Sequence, residues 1–179
     1  MSTLESRCLD AFPIWLKSLG QDAEKLAAVI ESRDLPEGVR RGSALALNYL
    51  FKSLDLIPDG LEELGFVDDA FVFRVAARSV SPGEASADPS GTVARLASEA
   101  ALVEEFLGDV YPRLAAYVNG LADASVRGRS VGAILSEEAL GLELTRDARQ
   151  WAGAYQPPAF HRDEKNLVKL RAFLAAKLK

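Results

Sequence analysis

The chain has 179 residues, enough to bury one sizeable core, and with 49% hydrophobic and 26% charged residues it has the make-up of a globular protein, not a disordered or fibrous one. A net charge of −5 repels polyphosphate at long range, so a nucleic-acid footprint would need a local basic patch. One cysteine, Cys8, and one histidine, His161, exclude an intrachain disulfide and a Cys/His zinc site, and point to a reducing compartment.

The first residues carry both signs of charge and lead into no continuous apolar run, which argues against a secretory signal. The densest apolar run, Ala44 to Phe51, is interrupted by Asn48 and stops at Lys52, well short of the ~20 residues of a spanning helix. A cytoplasmic protein, free or peripheral to a membrane, is expected.

Apolar residues from Leu4 to Leu19 recur with helical period, Pro13 bends or breaks the helix, and Gly20 is expected to stop it. A second helix is expected over Gln21 to Arg33, ending before Pro36. A third, from Glu37 to Leu54, is apolar almost all round and therefore central, with Asn48 satisfied inside it or aimed at a site. Pro58 ends that helix. Asp59 can open a short turn, Gly65 can close it in the left-handed conformation, and Asp68 can cap a helix from Asp69 to Val80.

Ser81 to Gly91 is rich in turn formers and divides the chain into an N-terminal unit (1–80), a linker (81–91) and a C-terminal lobe (92–179) packed on the first unit. Helices are expected over Thr92 to Leu107 and Val110 to Leu121. Three glycines obscure Asp123 to Leu144, Thr145 can cap Arg146 to Tyr155, and a last helix covers Asp163 to Leu178. No stretch alternates with period two. The expected fold is all-α, an irregular bundle of about seven to nine helices with no sheet.

The most specific stretch is Ser53 to Ala70, which gathers Asp55, Asp59, Glu62, Glu63, Asp68 and Asp69 around a proline and two glycines. Asp55, Asp59, Asp68 and Asp69 can be read as ligands of a hard divalent cation (Mg, Mn or Ca), or as caps and turn residues that need no cofactor. An EF-hand template begun at Asp55 fails, because Ile57 falls on a ligand position and Phe66 where the bidentate glutamate belongs.

Leu54-Asp55-Leu56-Ile57-Pro58-Asp59 followed by Leu64-Gly65-Phe66-Val67-Asp68-Asp69-Ala70 resembles the signature of the YkvA-like family, a bacterial domain of unknown function (domain of unknown function 1232). The resemblance covers about Arg40 to Ala77. It departs at Ser53 and at Glu62-Glu63, where the family usually has prolines. It implies a compact helical unit, sometimes found in membrane-associated proteins, and supplies no catalytic residue.

Other candidates are weaker. Gly128-Arg129-Ser130-Val131-Gly132, with Asp147 and His161 downstream, matches a nucleophile elbow but lacks a preceding strand. His161 reads as a solvated or capping residue, and Trp15 and Trp151 as core. From Arg162 to Lys179, six basic residues stand against two acidic ones, on a helix that either docks its leucines on the core or lies on an anionic surface. Two functions follow as expectations. One is a non-enzymatic module that contacts an unknown protein partner or a membrane surface, without nucleic acid. The other is a divalent-metal-dependent hydrolase of the phosphoester class that uses the aspartates.

Overall fold

The computed structural model describes residues 2–53, 55–61 and 63–179. Among these there are nine α-helices and no strand: α1 (Leu4–Glu31), α2 (Glu37–Tyr49), α3 (Val67–Arg78), α4 (Pro82–Ala85), α5 (Thr92–Leu107), α6 (Tyr111–Gly120), α7 (Val131–Ser136), α8 (Glu138–Ala154) and α9 (Glu164–Lys177). The fold is an all-α irregular bundle. None of these helices is long and apolar enough to cross a membrane. α2 stops at Tyr49, short of the expected Leu54, where the Phe51 and Lys52 N–H groups turn back to the carbonyls of Asn48 and Tyr49; Leu54 itself, and Glu62 in the acidic turn, lie outside the described residues.

The principal departure from expectation is α1, which runs unbroken through Pro13 and Gly20 for 28 residues. Thr3 caps it by accepting from the Ser6 backbone N–H at 3.1 Å. Gly20 does not stop the helix; it lets α8 approach. A Cβ there would stand 3.3 Å from the Tyr155 ring and 3.4 Å from the Ala152 carbonyl, and the Tyr155 hydroxyl donates to the Leu16 carbonyl at 2.8 Å.

On its other side α1 carries the core. Phe12 meets Phe71 of α3 edge-on at 5.1 Å and Phe106 of α5 at 5.3 Å, with Trp15 and Phe160 around it. Each such pair adds about 0.5–1.5 kcal/mol beyond its buried area. Arg74 of α3 is fully buried, with its guanidinium 3.9 Å over the Trp15 ring and 2.8 Å from Glu99 of α5. α3 is thereby fixed between α1 and α5.

Segment 81–91 holds α4 and the buried residues Ala85 and Asp88, and Asp88 accepts from the Val93 backbone N–H at 3.0 Å at the start of α5. One hydrophobic cluster contains residues from both sides of that segment. In the glycine-spaced region, the backbones of Val126 and Arg129 exchange two hydrogen bonds of 2.9 and 3.0 Å around Arg127-Gly128. Both central residues have positive φ (+52° and +76°), the signature of a type I′ turn. Ser130 then caps α7. Thr145 is buried inside α8 instead of capping it, donating to the Leu142 carbonyl at 3.1 Å.

Gly20→Leu is expected to push α8 off α1 and to cost about 1–3 kcal/mol, as overpacking of a tight core contact does. Gly132→Ala, where an added Cβ meets nothing within 4 Å, is expected to stabilise α7 by about 0.5–1 kcal/mol. Urea unfolding of both variants checks the pair.

Candidate functional site

The turn between α2 and α3 is built by close backbone contacts. Leu61 N–H donates to the Pro58 carbonyl at 2.9 Å, and Gly65 N–H to the Leu61 carbonyl at 2.8 Å. Gly65 does not supply the left-handed conformation; Glu63 and Phe66 do, at φ +70° and +66°. Glycine is required at 65 for space, since a Cβ would lie 2.3 Å from the Asp59 carbonyl oxygen. Phe66, in the left-handed region, precedes α3 and sends its ring against Tyr155 at 5.2 Å and Trp151 at 6.0 Å.

This path starts α3 two residues earlier than the capping pattern predicts. Asp68 and Asp69 therefore lie in the first helical turn, buried, and neither is the cap. One oxygen of Asp68 accepts from the Tyr49 hydroxyl at 2.6 Å and from the Ile57 backbone N–H at 3.3 Å. The same hydroxyl accepts from the Leu56 backbone N–H at 2.8 Å. Tyr49 thus ties the end of α2 to the start of α3. Burial, and then Asp68 and Asp69, push its ionisation far up, so it remains a donor.

Asp59, Asp68 and Asp69 each present a carboxylate oxygen within 4.8 Å of the others. Asp55 sits beside Asp59. Oδ1 of Asp55, Oδ1 of Asp68 and Oδ2 of Asp69 are buried without a hydrogen-bond partner. Among the described residues no lysine, arginine or histidine comes within ion-pair distance of any of the four. Burial, and then Asp59, push Asp55 up to about 7. Burial raises Asp59 and Asp68 as well, and burial together with the other three carboxylates raises Asp69.

The cluster adjoins a cleft of about 530 Å³ whose lining includes Lys52, Ser53, Asp55 and Asp59 on one side of the sequence and Ser125 and Arg127 on the other. The remaining candidates do not join it. Ser130 Oγ accepts from Ala133 N–H, Asp147 pairs with buried Arg129 at 2.8 Å, and exposed His161 lies 3.4 Å from Glu63. No hydrogen-bonded Ser/Asp/His set exists among them. Asn48 donates to the Arg129 carbonyl at 3.1 Å and so anchors the type I′ turn, not the carboxylates.

Residues 42–74 match a family described as Protein of unknown function (DUF1232). That stretch, 33 of the 179 residues, is similar to the DUF1232 family. The match opens in α2 and closes at Arg74 of α3, so it takes in Tyr49, the turn and all four aspartates. Comparisons with curated proteins and with solved structures give no match.

Sequence reasoning missed Tyr49 and Arg127 as partners of the acidic turn. Tyr49 left one signal: a phenol in an otherwise apolar helix needs a partner when buried. Arg127 left another, as an Arg-Gly pair where a type I′ turn favours Asn or Asp before Gly.

Tyr49→Phe leaves the Leu56 N–H and the Asp68 carboxylate short of a partner and should lower stability by about 1–3 kcal/mol, roughly 3–10 °C in midpoint. The aspartate shifts also set a pH dependence for chelator-treated protein. A carboxyl raised above its ordinary value of 3.8 favours the protonated folded state. That stability is complete below about pH 4 and is lost as pH rises through about 7. The thermal midpoint in chelator should therefore be lower at pH 8 than at pH 5.5.

Proposed function

We propose that this protein binds a divalent cation at Asp59, Asp68 and Asp69, with Asp55 at the rim, and uses it on a ligand admitted through the adjoining cleft. The observation that carries this reading is that Asp68 and Asp69 each keep a buried oxygen without a partner, while one carboxylate oxygen of each lies within 4.8 Å of one from Asp59. A buried ionised carboxylate costs several kcal/mol unless a charge or hydrogen bonds compensate it. The two adjacent carboxylates have between them one tyrosine hydroxyl and one backbone N–H from the α2 side.

The donor set is oxygen only, which suits magnesium, manganese or calcium. A span of up to 4.8 Å fits a single calcium, whose opposite oxygens are about 4.6–5.2 Å apart, and would have to tighten for magnesium, across which they are about 4.0–4.2 Å apart. With such an ion in place the chemistry open to the site is that of a hard Lewis acid, which polarises a bound oxygen or lowers the pKa of a bound water. A metal-dependent hydrolase is the enzymatic form of this reading.

The alternative, a module that works through contacts, has one feature in its favour. α9 exposes Lys165, Val168 and Lys169. A single valine in a basic face offers too little apolar area to hold a membrane. The cation reading accounts for the buried cluster, and the contact reading does not.

Chelator-treated protein titrated with manganese tests it by thermal unfolding. A site saturated ~100-fold adds about 2.7 kcal/mol, roughly 5–10 °C at this size. Asp69→Asn should abolish the shift while unfolding no earlier than the chelated wild type, because the amide removes a buried charge. Absence of a shift with manganese, magnesium and calcium would sink the reading.

A further inference from the structure

Beyond the cation itself, the cleft beside it has a charge arrangement that the metal reading does not need. Two acidic residues, Asp55 and Asp59, two basic ones, Lys52 and Arg127, and two serines, Ser53 and Ser125, line one cavity of about 530 Å³. Lys52 follows α2, with its backbone N–H donating to the Tyr49 carbonyl at 3.1 Å, and its ammonium acts on Asp55. Arg127 comes from the other half of the chain. Its guanidinium lies 4.7 Å over the Phe51 ring. A stacked guanidinium keeps its N–H edges free for an anion in the plane of the fork.

The backbone holds Arg127 where a glycine would be easier. It occupies the first central position of the type I′ turn at φ +52°, a region costly for a side chain outside Gly, Asn and Asp. The turn is pinned from below by Asn48 of α2, which donates to the Arg129 carbonyl, and by Arg129, which pairs with Glu143 at 3.2 Å and Asp147 at 2.8 Å.

We infer that the cleft binds a phosphomonoester, with one phosphoryl oxygen on the proposed cation and the others on Lys52 and Arg127. This rests on the cation reading above. Hard divalent cations held by a few carboxylates commonly complete their shells with phosphate oxygens, and Arg matches phosphate geometry bidentately. The cavity exceeds a bare phosphate and falls in the range of ~300–1,000 Å³ that admits a small organic ligand. Four aspartates, one divalent cation, Lys52 and Arg127 sum to zero formal charge. Net attraction therefore does not drive binding; direct coordination does, so binding must require the metal.

Calorimetric titration of the full chain with manganese, then with phenyl phosphate, tests the assignment, with benzoate as a carboxylate of similar size. The wild type loaded with manganese should bind phenyl phosphate, the chelated protein should not, and benzoate should bind far more weakly. Arg127→Gly suits the positive φ and keeps the turn; it should take up manganese as the wild type does but bind phenyl phosphate roughly tenfold to a hundredfold more weakly, the loss of one charge-assisted contact. Manganese uptake without phenyl phosphate binding, equal binding in Arg127→Gly, or benzoate binding as tightly as phenyl phosphate would each overturn the inference and leave the metal reading standing. Failure to take up manganese at all would remove both.

Discussion

The structure turns on the burial of two consecutive carboxylates in the first turn of α3. That helix has no freedom to retreat, because Phe71 and Arg74, one and two turns further on, are locked into the aromatic cluster and the Glu99 ion pair. Once Arg74 is set over Trp15, the rise of the helix places Asp68 and Asp69 inside the protein. The helix N-terminus offers them partial positive charge. It does not offer each oxygen a donor, and the turn that precedes α3 is shaped by that deficit.

The deficit explains why the α2–α3 connection has such an improbable backbone. Two non-glycine residues, Glu63 and Phe66, take the left-handed conformation, and glycine at 65 admits the Asp59 carbonyl to a distance no side chain would tolerate. Together these fold Asp59 back over the start of α3, beside Asp68 and Asp69. The second half of the chain then closes the site. Phe66 is covered by Trp151 of α8 and by Tyr155 just beyond its end, and the type I′ turn at Arg127-Gly128 supplies part of the cleft lining. The matched segment holds all four aspartates and Tyr49, and the rest of the wall comes from outside it.

Much of the fold was legible because helical periodicity survives local irregularity. Thr92 to Leu107 was bounded correctly, since Gly91 and Gly108 flank an amphipathic run with positive φ at both ends. Gly20 misled because a glycine that permits close helix approach is indistinguishable, in one sequence, from one that ends a helix. Asp68 misled for a related reason: an aspartate before an apolar run is the pattern of a cap, and only tertiary packing of Phe71 and Arg74 reveals that the helix has already begun. The aspartates themselves were legible as a group. Their convergence was not, because it depends on the left-handed residues Glu63 and Phe66, and neither side chain advertises that backbone.

The rest of the protein provides the control for reading the cluster as a site. Buried charge elsewhere is paired from within the chain. Arg74 has Glu99, Arg129 has Glu143 and Asp147, and Asp22 has Arg95. Asp88, buried without a basic partner, accepts from Ser90, including its backbone N–H at 3.0 Å, and from the Val93 backbone N–H. Arg74 and Arg129 also keep N–H groups without a hydrogen-bond partner, but each has a carboxylate at 2.8 Å, whereas among the described residues Asp68 and Asp69 have no basic side chain at ion-pair distance. One lysine or arginine aimed at them from α6 or α8 would have made a buried ion pair like the others. Instead the flanking residues are tyrosines, Tyr49, Tyr117 and Tyr155, whose hydroxyls are held protonated by burial and then by these same aspartates. Neutral walls around Asp68 and Asp69 leave their charge to be balanced from outside the chain, by a proton or by a cation, and the proposed cation site takes the second course.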